Sequence, residues 1–285
     1  MEAPHLATKS PLLLNGEHVA QVLTIFIRDE LRRTGLSKAV IGLSGGVDSA
    51  LSTYLAARAL GSENVHVLLM PYRNSTPESV EDAESVVEAL GISSETFGIS
   101  PIADSFFSET EKSLGEMDRT RRGNAMARLR MIALYDRSQA MNALVVGTSN
   151  KTESLLGYTT IFGDNASAIN PLGDLYKTQV WQLAKFMGVP QQIVSKPPTA
   201  DLWPGQTDEA ELGVTYREVD VLLYYMVDER ESDEELVRRG YDLEHVRSIR
   251  EKIRRAQYKR RPPIIAKVSS RTINADFRYP RDWGT

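Results

Sequence analysis

Ser44-Gly45-Gly46-Val47-Asp48-Ser49 follows directly on the apolar run Ala39-Val40-Ile41-Gly42-Leu43 and precedes Ala50 to Leu60, whose apolar spacing suits a helix. A glycine pair where a buried strand turns into a helix exposes unpaired backbone N–H groups, which makes the turn a ready anion site. A Walker-type phosphate loop carries Gly-Lys-Ser or Gly-Lys-Thr. This turn has no lysine and carries Asp48 instead. A carboxylate beside a polyphosphate is repulsive unless a divalent cation lies between them, so Asp48 points to Mg²⁺ held jointly by protein and nucleotide. Taken alone, Asp48 could equally serve as an acid complementing the helix dipole.

Three further stretches carry candidate chemistry. Gly147-Thr148-Ser149-Asn150-Lys151-Thr152-Glu153 leaves a strand end and enters a short helix, directing Thr148 and Glu153 toward the same crevice as Asp48. Glu153 could supply a second carboxylate to the metal, or be a solvated surface acid. Gly157 to Asp174 is loop-like and contains Gly163-Asp164 before the extended Ala168-Ile169-Asn170-Pro171. Lys177 falls in the opening turn of a helix from Tyr176 to Met187, where a cation opposes the helix dipole and a nearby phosphate would explain its placement. Ser195 to Gly213 is irregular, polar and patterned, and reads either as a lid or as a plain surface loop.

These residues need a scaffold, and the chain spells one out. Asn15 caps a first helix whose stripe Val19, Val22, Leu23, Phe26, Ile27 and Leu31 stops at Gly35. Val40 to Leu43 and Val65 to Met70 read as strands, the second a near-continuous apolar run as a parallel sheet buried on both faces requires. Thr76-Pro77 opens the next helix and Gly91 closes it. Glu95 to Ile99 reads as a third strand, Ser100-Pro101 starts a helix, Asn124 starts the one holding Arg128 and Arg130, and Ala143 to Gly147 is a further strand. This alternation predicts an α/β protein with a doubly wound parallel sheet flanked by helices, in a single domain across residues 1–285 with a tail over 262–285. Ligands of such sheets sit beyond the carboxyl ends of the strands, where Ser44, Met70 and Thr148 fall.

Composition narrows the chemistry. The 285 residues are 41% hydrophobic and 25% charged with a net charge of −4, ordinary for a soluble globular protein. The chain has no cysteine, which excludes disulfides, thiolate zinc sites, and a cysteine nucleophile for releasing ammonia from glutamine or transferring sulfur. No segment approaches the ~18 apolar residues of a membrane span, and no secretory leader is evident, so the expected location is cytoplasmic. The densest basic run, Arg247, Arg250, Lys252, Arg254, Arg255, Lys259, Arg260 and Arg261, leaves nucleic-acid binding as a rival reading, although the acidic overall balance makes a solvated helix face the simpler one.

The glycine turn resembles the signature of the ATP pyrophosphatases. The turn together with Gly123-Asn124-Ala125-Met126-Ala127-Arg128, Gly147 to Glu153, Gly163-Asp164, Asp174-Leu175-Tyr176-Lys177 and Pro198-Thr199-Ala200-Asp201 through Leu212-Gly213 is similar to the NAD⁺ synthetase family, over about residues 20 to 263. The resemblance implies an adenine nucleotide α-hydrolase-like fold and an ammonia-dependent ligase. Such an enzyme adenylates the nicotinate carboxylate of deamido-NAD⁺ with ATP, releases pyrophosphate, and exchanges AMP for ammonia. It implies ATP binding by Gly42, Leu43, Ser44, Gly45, Gly46, Val47, Asp48, Ser49, Thr148, Lys177 and Thr199. It further implies Mg²⁺ on Asp48 and Glu153, deamido-NAD⁺ on Arg128, Asp164, Tyr258 and Lys259, and catalytic parts for Asp48 and Lys177.

The resemblance also implies a homodimer, to which the first helix could contribute, and ammonia used directly or delivered by a separate glutaminase. His5, His18, His66 and His245 lie outside these motifs. Two departures stand out. Ile161 replaces a lysine common in the family, and Gln257-Tyr258-Lys259 stands where Glu-His-Lys is usual, which weakens the transfer of roles to Tyr258 and Lys259. Rival activities are another ATP pyrophosphatase, GMP synthetase-like or tRNA-modifying, and a nucleotide sensor without turnover.

Overall fold

The computed structural model describes residues 10–199, 207–260 and 263–272. Four parallel strands, β1 (Lys38–Gly42), β2 (Val65–Leu69), β3 (Ser93–Thr96) and β4 (Ala143–Val145), form one sheet in the order β3-β2-β1-β4. Beyond β4, Val146 bridges Ile169 in parallel, so the extended segment before Pro171 lies at the sheet edge. Strand order reverses between β1 and β4, and the turns after those strands meet at this switch point.

Side chains alternate along the strands and bury both faces. Ala39 and Ile41 of β1, with Val65, Val67 and Leu69 of β2, enter a core shared with α1 (Gly16–Thr34), α2 (Val47–Leu60), α3 (Pro77–Leu90) and α7 (Lys177–Met187). Val40 and Leu68 point the other way, onto α4 (Ser100–Leu114) and α5 (Arg119–Met141). Helices on both faces make the sheet doubly wound, as expected. The inner stripe of α1, including Ile27 and Leu31, is buried in the first of these cores. Only residues such as Val22 and Ile25 remain outside for any subunit contact.

A third apolar cluster joins α6 (Lys151–Leu156), α10 (Tyr216–Leu223), α11 (Asp233–Arg238) and α12 (Leu243–Arg255). Its centre is Tyr216, fully buried and edge-on to Trp181 of α7. Helices α8 (Gln191–Ser195), α9 (Asp208–Leu212) and α13 (Gln257–Arg260) are short connectors. α9 adds a helical turn to the stretch read from sequence as wholly irregular. Residues 200–206 of that stretch, Arg261, His5 and most of the expected tail lie outside the described residues.

Two boundaries differ from expectation by three residues or more. The third strand runs from Ser93 to Thr96 rather than Glu95 to Ile99, because Ile99, although its N–H still reaches the Pro71 carbonyl, already has a helical backbone as the N-cap of α4. α5 begins at Arg119, five residues before Asn124, because the Asp118 carboxylate caps it by accepting from the Arg121 N–H at 2.7 Å.

Gly45 sits at φ +83°, and a Cβ there would stand 2.1 Å from the Ser79 carbonyl oxygen of α3. The tight turn after β1 therefore depends on glycine both for its left-handed backbone and for its approach to α3. Gly45→Ala should destabilise the protein by at least about 1–2 kcal/mol from backbone strain alone. A thermal melt against the parent chain checks this; an unchanged midpoint would contradict the close approach.

Candidate active site

The glycine turn is braced by its own hydroxyls. Ser44 N–H donates to Ser49 Oγ at 3.2 Å, Gly46 N–H donates to Ser44 Oγ at 3.3 Å, and Ser49 Oγ donates to the Gly46 carbonyl at 2.9 Å. Gly46 is extended and begins α2 without a side-chain cap. The first N–H groups of α2 thus remain available at the floor of a cleft of about 500 Å³.

Three elements deliver charge to this cleft. Asp48 comes from the first turn of α2, Glu153 from α6 after β4, and Lys177 from the start of α7. Lys177 Nζ lies 2.5 Å from Asp48 Oδ2 and 3.6 Å from Glu153 Oε1, and the lysine is only 3% exposed. Burial opposes the lysine's charge, but Asp48 and Glu153 outweigh it and hold the ammonium above its usual range. Burial, then the repulsion of Asp48, pushes the Glu153 carboxyl up to about 8. Asp208 of α9 adds a further buried acid whose pKa burial raises, with Lys177 partly opposing. One cation thus faces three acids, and the interior has an acid excess that a divalent cation would relieve.

Asn150, fully buried, ties the acids together and was missed from the sequence. Its Nδ2 donates to Asp48 Oδ1 at 2.9 Å, its Oδ1 accepts from the Glu153 N–H at 2.9 Å, and its own N–H donates to Glu153 Oε2 at 3.3 Å. The last two bonds form a capping box that starts α6. The signal was present, since Asn three residues before Glu is a capping pattern.

α7 is fixed from beneath by another residue that sequence did not single out. Asp220 of α10, fully buried, accepts from the Thr178 N–H at 2.7 Å and from Thr152 Oγ1 at 2.6 Å. Thr152 Oγ1 in turn accepts from the Lys177 N–H at 3.0 Å. Burial raises the Asp220 pKa, and the Thr152 and Thr178 donors partly offset that. The opening turn of α7 is locked to α6 and α10, which positions the Lys177 side chain.

Gly42, Leu43, Ser44, Gly46, Asp48 and Ser49 line the cleft, as do Thr148, Glu153, Asp164, Lys177, Thr199 and Lys259. The other expected residues lie elsewhere. Gly45 backs onto α3, and Val47 is buried in the core beneath the turn. Arg128 of α5 donates to the Ile161 carbonyl at 3.3 and 3.1 Å, gripping the loop that holds Asp164. Asp164 accepts from the Thr160 N–H at 2.6 Å. Tyr258 is half-exposed and does not line the cleft. Lys259 Nζ donates to the Gly157 and Thr159 carbonyls, both at 2.7 Å, and burial lowers its pKa.

The basic run is largely satisfied within the protein. Arg250 pairs with Asp233, Arg254 and Arg255 with Glu251, and Lys252 donates to the Leu212 carbonyl at 2.6 Å. Arg260 donates to the carbonyls of Ser154, Leu155 and Ile253. Such a set offers little free charge to a polynucleotide backbone. Among the described residues no helix is long and apolar enough to cross a membrane.

The comparisons with known proteins converge on the same chemistry. The family model for NAD synthase matches residues 19–263. The NH₃-dependent NAD⁺ synthetase of Trichlorobacter lovleyi is 55% identical over 275 residues, 96% of this chain and 99% of that protein. Among solved structures, the NMN synthetase from Francisella tularensis superposes with a TM-score of 0.77 at 34% identity, covering 90% of this chain and 100% of that one. The NH₃-dependent NAD synthetase from Campylobacter jejuni gives 0.75 at 33%, covering 89% and 100%. With a family match spanning residues 19–263 and a relative 55% identical over nearly its whole length, the chain belongs to the NAD synthase family.

Proposed function

We propose that the protein is an ammonia-dependent ligase that converts deamido-NAD⁺, ATP and ammonia to NAD⁺, AMP and pyrophosphate. The observation that carries this reading is the convergence of the glycine turn, Asp48, Glu153 and Lys177 in one cleft. A nicotinate carboxylate oxygen attacks the α phosphorus of ATP, the bond to the β phosphate breaks, and pyrophosphate departs. Ammonia then attacks the acyl carbon, the carbon–oxygen bond to AMP breaks with its electrons remaining on the phosphate, and the nitrogen gives up a proton to solvent to leave the neutral amide. Neither step needs a protein nucleophile, in keeping with the cysteine-free chain. Positioning and charge neutralisation supply the catalysis.

In this reading Gly42 to Ser49 and the N–H groups of α2 hold the departing diphosphate, Lys177 neutralises charge at the reacting phosphate, and Thr148 and Thr199 contact further parts of ATP. Arg128 orders the Ile161 to Asp164 loop, Asp164 meets the dinucleotide, and Lys259 and Tyr258 support that end of the cleft. Asp48 and Glu153 fit Mg²⁺. Mg²⁺ takes one or two carboxylates and completes its shell with water and phosphate oxygens, and the described residues offer no closed group of three or more ligands. Bound there, the ion would offset phosphate charge.

One catalytic domain, a cytoplasmic location, and free ammonia or a separate glutaminase as the nitrogen source belong to the same proposal. So does a homodimer. Ile102 and Phe106 of α4 and Ile132 and Tyr135 of α5 are exposed large apolar side chains on helices covering the same sheet face, which suits a subunit contact.

Incubation with ATP, Mg²⁺, ammonium and deamido-NAD⁺, with nicotinate mononucleotide as comparison substrate, tests the reaction. NAD⁺ with equal AMP and pyrophosphate is expected, and ADP with phosphate would overturn it. Asp48→Asn should lower kcat about a hundredfold or more, while unfolding free energy shifts by less than about 1 kcal/mol, since Lys177 retains Glu153. Equal damage to both would refute the ligand role. Ile132→Asp should shift the protein from dimer to monomer in sedimentation, whereas an unmoved dimer would place the interface elsewhere.

A further inference from the structure

Asp208 has no part in the adenylation just described, yet it lines the cleft at 4% exposure. Its Oδ2 accepts from the Tyr216 hydroxyl at 3.1 Å and the Tyr158 hydroxyl also steadies the carboxylate, while its Oδ1 is buried and makes no hydrogen bond. An acceptor left open in the interior costs free energy of about 1–3 kcal/mol unless a ligand satisfies it. Lys177 forms ion pairs with Asp48 and Glu153, and Asp208 makes no ion pair among the described residues. One helical turn along α9, Glu211 also lines the cleft and accepts from the Tyr158 hydroxyl at 2.8 Å. The i, i+3 spacing puts both acids on one side of the helix.

We propose that Asp208, supported by Glu211 and Tyr158, is the binding site for the ammonium ion. This rests on the amide-forming reaction above and assigns the place of its nitrogen donor. At neutral pH the donor in solution is a small cation with four N–H groups and no lone pair. An acceptor-only carboxylate oxygen with no partner matches it, and nearby tyrosine rings favour a cation over neutral water. Lys177 Nζ, itself an alkylammonium, already lies 5.3 Å from the Tyr216 ring centre.

The test compares Asp208→Asn with the parent enzyme in three assays: the overall reaction with ammonium varied, the same reaction with hydroxylamine, and ATP–pyrophosphate exchange without a nitrogen nucleophile. Hydroxylamine is mostly uncharged at neutral pH and does not need a cation site. The KM for ammonium should rise at least about tenfold, while exchange and the hydroxylamine-supported rate keep more of their parent values. An unchanged ammonium KM would overturn the assignment. So would an exchange rate that falls as far as the overall rate, which would place Asp208 in adenylation or metal binding. If Asp208→Asn fails to fold by circular dichroism, Glu211→Gln carries the same prediction with a rise of about threefold or more. Absence of exchange in the parent enzyme would instead refute the adenylation reading itself.

Discussion

A single buried ammonium, Lys177, faces Asp48, Glu153 and Asp208 in one cleft, and the rest of the architecture is arranged around that imbalance. Charges removed from water interact strongly, so one cation cannot quiet three acids at neutral pH. Burial first, and then the repulsion of Asp48, raises the Glu153 pKa. Any further negative charge brought into such a pocket meets repulsion.

The three charges come from distant parts of the chain, and the sheet order brings them together. Asp48 follows β1, Glu153 follows β4 beside it, and Lys177 opens α7. α6 is six residues long, too short to hold its shape alone. Its start is fixed by Asn150, its middle by the Thr152 bond to Asp220, and its final carbonyls by Arg260. Arg260 and Lys259 therefore act as braces beneath the site, their charge turned onto backbone oxygens, while Arg254 and Arg255 stay on the surface paired with Glu251.

Local patterns made much of this readable in advance. The glycine turn, the apolar runs of β1 and β2, and the caps at Asn15 and Gly91 are short-range signals, and each lies where expected. The end of β3 was harder to read, because Phe97 and Ile99 are apolar whether they extend a strand or enter a helix. Asn150 and Asp220 escaped notice because their importance lies in contacts across tens of residues, with Asp48 and with Thr152 and Thr178, and Asp208 because its partner Tyr216 lies beyond the next turn in an irregular stretch with no periodic pattern. Arg128 shows the converse. A motif marked it, and the fold gives it a loop carbonyl as partner rather than a place on the cleft wall.

Glu153 holds two posts at once. Its backbone and carboxylate close the cap that starts α6, and the same carboxylate faces Lys177 across the cleft. A shorter acid could not reach back to the Asn150 N–H, and an amide could cap the helix but would forfeit the charge. Damage there would unravel a helix and a reaction together, which makes Glu153 a poor probe of either one alone.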